Sequence, residues 1–266
     1  MVTGFAPIRT TASAAIACVL LLSARSAIAQ TAQTGEDPTR PVLFSVRPEF
    51  YRVADNIWRL QATGRYDAAI TRNRRWLGGR RGLLLRFEVP LPVAEHPAFG
   101  VHAGLGDAYG QVLIVPRLSR RFAVVAGSGL SIPTATHDLL GSGKWIVAPA
   151  AIPVLFFPRG LWLVKVQNFT SIAGDDERAD VNFLLITPTL LRAFGRASWI
   201  LVDTETKTDW RLDRRTGVKS GIQFGHIFGH GVGLWLKPEV WWGANQSGDW
   251  NLKTGIVWYR DRKPNP

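Results

Sequence analysis

The sequence predicts an all-β fold, an antiparallel transmembrane β-barrel of about 12 strands behind a cleaved signal peptide. Three observations carry this: a two-residue hydrophobic period, an alternation of short and long connections, and an export signal at the N-terminus. The period is clearest near the end of the chain. From Gly231 to Trp242 one parity gives Val232, Leu234, Leu236, Pro238, Val240 and Trp242, and the other gives Gly231, Gly233, Trp235, Lys237, Glu239 and Trp241. Leu252, Thr254, Ile256 and Trp258 then alternate with Asn251, Lys253, Gly255 and Val257. Successive strand side chains point to opposite faces, and here the charged face recurs all along the chain. A soluble barrel turns its apolar face inward, whereas apolar-out and polar-in is the pattern of a barrel in lipid.

Taken in order, residues 1–29 read as the signal peptide. Arg9 supplies positive charge, Ala14 to Leu22 is a short apolar run, and Ala27-Ile28-Ala29 before Gln30 is a small-residue cleavage pattern. The run is too short to span a bilayer as a helix. Residues 30–41 form a polar periplasmic lead-in, 42–260 the barrel, and 261–266 a polar C-terminal tail.

In the first strands, Phe44, Val46 and Phe50 alternate with Ser45, Arg47 and Glu49. Trp58, Leu60 and Ala62 alternate with Arg59, Gln61 and Thr63, and Leu83, Leu85, Phe87 and Val89 with Arg86 and Glu88. Further strands are expected from Asp107 to Arg117, Arg121 to Ile132, Lys144 to Phe157, Gly160 to Ile172, Asp180 to Arg192, Ala197 to Lys207 and Thr216 to Ile227. Outer-membrane barrels keep periplasmic turns short and surface loops longer. The turns at Ser119-Arg120, Pro158-Arg159, Phe194 to Arg196 and Phe228 to His230 are short, while Thr134 to Gly143, Gly174 to Ala179, Thr208 to Arg215 and Ala244 to Gly248 are long and polar. The beginning breaks the rule: Ala54 to Asn56 is short for a surface loop and Thr71 to Arg80 long for a turn, which leaves ten strands as the alternative. Pro149, Pro153 and Pro188 fall inside expected strands, where each removes a ladder donor.

Composition narrows the function classes. The formal net charge is +12, with only Arg9 and Arg25 of the charged residues falling in the signal. Such a surplus suits nucleic acid, anionic lipid or anionic solutes, and export together with the lack of a nucleic-acid motif removes the first. The only cysteine, Cys18, lies in the signal, so the exported part has neither disulfides nor thiolate ligands. The expected partners are outer-membrane lipid, lipopolysaccharide and a small-molecule solute. No cofactor is expected, and oligomeric state is not encoded in any visible pattern.

Three segments carry a family resemblance: Gly104-Leu105-Gly106-Asp107, Gly129-Leu130-Ser131-Ile132-Pro133-Thr134 and Gly141-Ser142-Gly143-Lys144-Trp145. The chain resembles the outer-membrane porin or transporter family named for the meta-pathway of phenol degradation, over roughly Val42 to Tyr259. The resemblance implies a barrel of about twelve strands in a Gram-negative outer membrane that passes small, often aromatic compounds, with no catalytic residues. The chain departs from the pattern at Ala135, where a glycine usually follows Pro-Thr, and in its polar rather than aromatic terminus.

No catalytic, cofactor or metal site is assigned. His226 and His230 lie four apart at a strand end, where that spacing spans roughly 13 Å, too far for one ion. Gly141-Ser142-Gly143-Lys144-Trp145 lacks the earlier glycine and the Ser or Thr of a phosphate loop. A lipid hydrolase on a barrel needs a Ser and His brought together, for which Ser198, Ser220, His102 and His226 are the candidates, and a plugged structural or adhesive barrel is the third class. The expected lumen-facing set is Arg47, Glu49, Arg59, Arg86, Glu88, Lys165, Gln167, Glu205, Lys207, Lys219, Gln223, Lys237, Glu239 and Lys253. The expected lipid-facing set is Trp58, Leu60, Trp162, Val164, Ile222, Phe224, Leu234, Leu236, Trp242, Ile256 and Trp258. More Lys and Arg than Asp and Glu inside point to a preference for small anions.

Overall fold

A computed structural model describes residue 38 and residues 44–54, 57–71, 83–96, 100–195, 197–228, 231–243 and 248–259. The signal peptide, most of the lead-in and the C-terminal tail lie outside the described residues. The strands are β1 (Phe44–Ala54), β2 (Ile57–Thr71), β3 (Leu83–His96), β4 (Gly100–Ala103), β5 (Ala108–Leu118), β6 (Phe122–Ile132), β7 (Lys144–Phe157), β8 (Gly160–Gly174), β9 (Asn182–Phe194), β10 (Ser198–Asp209), β11 (Arg215–Ile227), β12 (Val232–Gly243) and β13 (Trp250–Trp258).

Every pairing is antiparallel, and β1 pairs with β13 from Phe44↔Trp258 to Arg52↔Trp250, so the sheet closes on itself. Both β4 and β5 pair with β3, at Val93↔Ala103 and Leu84↔Leu113, and together fill one place in the wall. The wall therefore has twelve places. The short Ala54 to Asn56 connection is a tight hairpin, with Ala54 opposite Ile57, so the ten-strand alternative is set aside.

The prolines are accommodated at breaks in pairing. Along β7 and β8 the partners skip Ala148-Pro149 and Ile152-Pro153, and β9 and β10 lose register pairing across Thr187-Pro188. Each break removes the ladder bond that proline cannot donate.

The burial pattern is inverted relative to a soluble protein. Phe87, Leu155, Trp162, Ile222, Phe224, Leu234, Leu236 and Ile256 are exposed on the outer face, while Glu49, Arg65, Asp67, Lys219, Lys237, Glu239 and Asn251 are buried inside. Two aromatic clusters mark the edges of the outer band. Phe44 packs on Trp258 (5.5 Å between centroids) at the short-turn rim, and Phe50 packs on Trp250 (5.4 Å) and Trp58 (6.5 Å) toward the other rim. Phe44 and Phe50 are separated by about 20 Å of strand, a spacing that suits an apolar band of about 25 Å flanked by rings. Strand ends, short turns and both chain ends of the barrel share one rim, which is periplasmic in outer-membrane architecture.

Candidate functional site: the barrel interior

The interior is layered along the axis. Nearest the short-turn rim, Leu84, Leu113, Val115, Val125, Ile152, Val154, Leu161, Leu163, Leu191, Trp199, Leu201, Trp235 and Val257 form one apolar cluster of nearly inaccessible side chains. Glycines make room for the rings. A Cβ at Gly225 would fall inside the Trp199 ring, and one at Gly255 inside the Trp235 ring. Tyr109 lies over Gly129 in the same way, and its hydroxyl accepts a 2.8 Å hydrogen bond from Gln167 Nε2. Each ring lies along the wall over the next strand instead of standing across the bore.

Above this layer lies an ionised belt. Glu239, with a side chain 1 % exposed, receives Lys237 at 2.9 Å, Lys253 at 3.4 Å and Lys219 at 3.8 Å. Asn251 Nδ2 donates to Glu239 Oε2 at 2.8 Å. Lys237 also meets Asp203 at 2.5 Å, Lys219 meets Glu205 at 3.1 Å, and Lys253 meets Glu49 at 3.5 Å, with Tyr51 donating to the Glu49 carboxylate. The register explains the need: Lys237 and Lys253 are directly opposed on β12 and β13, and their repulsion is relieved by the carboxylate two residues along. A second group joins Arg65 and Arg86 to Asp67 (2.5 and 3.0 Å) and Arg47 to Glu88 (2.9 Å).

Three interior cations stand outside these pairs. Lys165 meets no carboxylate among the described residues, Arg59 donates to Gln61 Oε1 at 3.0 Å, and Lys207 sits 4.6 Å from the centroid of Phe183. Phe183 stacks on Phe169 at 4.8 Å, and Lys219 lies 4.8 Å from the centroid of Trp241. The interior thus combines unpaired positive charge with aromatic faces.

The long-loop mouth over β3 to β5 is tied by one carboxylate. Asp107 Oδ2 accepts from Ser142 N (2.6 Å) and Ser142 Oγ (2.7 Å), and Asp107 Oδ1 accepts from Ala135 N (3.3 Å). Thr134 Oγ1 donates to Gly106 O and accepts from Ala108 N, both at 2.9 Å. Arg178, from the next loop, donates to the carbonyls of Asp138 and Gly141 at 2.6 Å. Leu140 is buried in the 3₁₀ turn Asp138–Leu140, and its carbonyl lies beside Gly106. The three Gly-rich segments that carry the resemblance therefore meet at one place. Beyond it, Lys144 bridges to Asp180 at 3.1 Å, and that hydrogen bond and charge hold the Asp180 carboxyl below its ordinary range.

All fourteen residues of the expected lumen set lie on the inward parity of their strands, Arg47 and Glu49 on β1 through Lys253 on β13. In the other set, Leu60, Trp162, Ile222, Phe224, Leu234, Leu236, Trp242 and Ile256 are exposed outside, while Trp58, Val164 and Trp258 share that parity and are partly covered. Sequence reasoning missed Arg65, Asp67 and Asp203. All three were open to detection, Arg65 and Asp67 on the parity of Arg59, Gln61 and Thr63, and Asp203 on that of Glu205.

Of the hydrolase candidates, Ser198 and His226 are register partners, with Oγ and Nδ1 2.8 Å apart. They sit on the outer face at the short-turn rim, and no carboxylate joins them among the described residues. Ser220 instead shares a hydrogen bond with Thr204, and His102 stacks on His137 at 3.8 Å. His230 lies outside the described residues, and among those described no three side chains group as metal ligands. Gly141 to Lys144 serves the loop knot, with Ser142 committed to Asp107.

No family model matches the chain, and no curated protein matches it. Solved structures do. An outer-membrane channel from Pseudomonas putida F1 superposes with a TM-score of 0.62 at 14% identity, over 83% of this chain and 95% of that one. The KdgM porin gives 0.51 at 8% identity over 82% and 99%, and the translocator domain of the autotransporter NalP from Neisseria meningitidis 0.51 at 10% over 84% and 90%. These likenesses establish an outer-membrane barrel fold. Nothing in them bears on phenol degradation.

Proposed function

We propose that this barrel is an outer-membrane channel for small solutes, and that it favours anions carrying an aromatic ring. The observation that carries this is the set Arg59, Lys165 and Lys207, cations on the inner wall that make no ion pair among the described residues, with Lys207 over the ring of Phe183, which stacks on Phe169. A carboxylate is drawn by the surplus charge while a ring stacks on aromatic faces. The channel likeness of the fold supports the first half of the reading, and the interior chemistry supports the second.

Purified protein in planar bilayers under a salt gradient tests it. The expected result is stepwise conductance with an anion-selective reversal potential, moved toward cations by Lys165→Glu with Lys207→Glu. Lys219 and Lys237 are poorer probes because Glu205, Asp203 and Glu239 already hold them. The apolar layer favours a second reading, a closed structural barrel, and silence over many insertions would select it. Release of fatty acid from phospholipid that depends on Ser198 would select a hydrolase instead.

A further inference from the structure

We infer that the short-turn rim between β5 and β10 is a docking surface for anionic phospholipid headgroups. Arg120 and Arg121 are exposed in the β5 to β6 turn and Arg159 in the β7 to β8 turn, and Arg192 sits on the outer face near the end of β9. None of the four meets a carboxylate among the described residues. The described parts of the short turns contain no Asp or Glu.

The rim is built rather than loose. Phe156 N donates to Arg121 O at 2.9 Å, and Ala193 N donates to Arg159 O at 2.7 Å, stitching each turn to a neighbouring strand. Arg159 holds φ at 62°, a left-handed conformation that glycine adopts more readily, and nevertheless presents an arginine there. Just above the arginines the outer face is apolar, with Leu118, Leu155, Trp162 and Phe194 exposed. Apolar side chains topped by cations match acyl chains topped by phosphate. The opposite rim is mixed: Asp175, Asp176, Glu177, Asp213 and Asp249 are exposed there alongside Arg52, Arg211, Arg214 and Arg215. Cations without carboxylates thus mark the short-turn rim alone, and the surface is independent of whether the lumen conducts.

The test is native mass spectrometry of the detergent-solubilised full chain offered equimolar phosphatidylglycerol and phosphatidylcholine. Wild type should retain phosphatidylglycerol at least about fivefold over phosphatidylcholine, because basic side chains near the surface attract an anionic headgroup. Arg120→Gln, Arg121→Gln, Arg159→Gln and Arg192→Gln combined should bring the ratio to parity, while Arg211→Gln with Arg214→Gln at the other rim should leave it unchanged. If the combined variant fails to fold, as read by heat-dependent gel mobility, Arg120→Gln and Arg121→Gln singly should each lower the ratio. Equal retention by wild type, or an unchanged ratio in the folded variants, overturns the inference. So does displacement of the lipid by millimolar inorganic phosphate, which would identify a site for free anions.

Discussion

The indole of Trp199 lies on Gly225 of the neighbouring strand, in the space a side chain at 225 would fill. Gly225→Val therefore drives a branched side chain into a ring in a closed layer. Overpacking typically costs about 1–3 kcal/mol, and this site belongs at the upper end because the obstacle is a rigid ring. The variant should show a smaller folded fraction in denaturant titrations, and adding Trp199→Ala should recover most of it. A Gly225→Val protein as stable as wild type would contradict the packing.

The two faces of a strand should respond oppositely to charge. Leu236→Arg places a cation against lipid and should cost about 2–4 kcal/mol near the midplane, read by reversible folding into lipid vesicles. Lys165→Leu removes an interior cation that makes no salt bridge among the described residues and should cost much less than Leu236→Arg. Similar losses in both would argue against this orientation of the wall.

Glu239 offers a sharper case inside. Glu239→Gln leaves Lys219, Lys237 and Lys253 around a neutral amide, and loss of one partner from a buried charge group typically costs about 3–5 kcal/mol. Lys237→Met added to Glu239→Gln should relieve part of that loss, which the same folding titration measures as non-additivity.

Asp107 accepts three hydrogen bonds from the 133–143 segment, two of them from Ser142. Asp107→Ala should free that segment without unfolding the barrel. Hydrogen exchange should accelerate at Ala135 and Ser142 and remain slow in β9 to β13; unchanged exchange at Ser142 would show that Asp107 does not hold the loop.

Acid should act on the same mouth. The Asp180 carboxyl is held below its usual range by Lys144, so its contribution is present above the unfolded carboxylate value and is lost as pH falls through the lowered one. Protection from exchange in residues 171–182, taken relative to the intrinsic rate at each pH, should fall in acid, and Asp180→Asn should show the lower protection already at neutral pH.

Period-two alternation made the wall legible, because residues such as Leu236 and Lys237 differ by solvent preference alone and the strand geometry does the sorting. Connection lengths were equally readable for the same reason: Pro158-Arg159 leaves no room for anything but a turn. What sequence did not disclose was contact between distant strands. Nothing in the spacing announces that Tyr109 reaches Gln167, or that Ser198 meets His226, since those meetings depend on register. Nor did it disclose the split between cations neutralised by neighbours and those left over, which separates Lys237 from Lys165 although both lie on inward parities.

The rings that rest on interior glycines have a consequence for how such a protein diverges. Twelve strands set the circumference, but how the inner wall is lined depends on a few single side chains, Trp199, Trp235 and Tyr109 among them. A single exchange at one of these positions reshapes the interior while the outer face that meets lipid stays the same. Descendants of this chain are thereby free to change their interior in single mutational steps, with the strand number untouched.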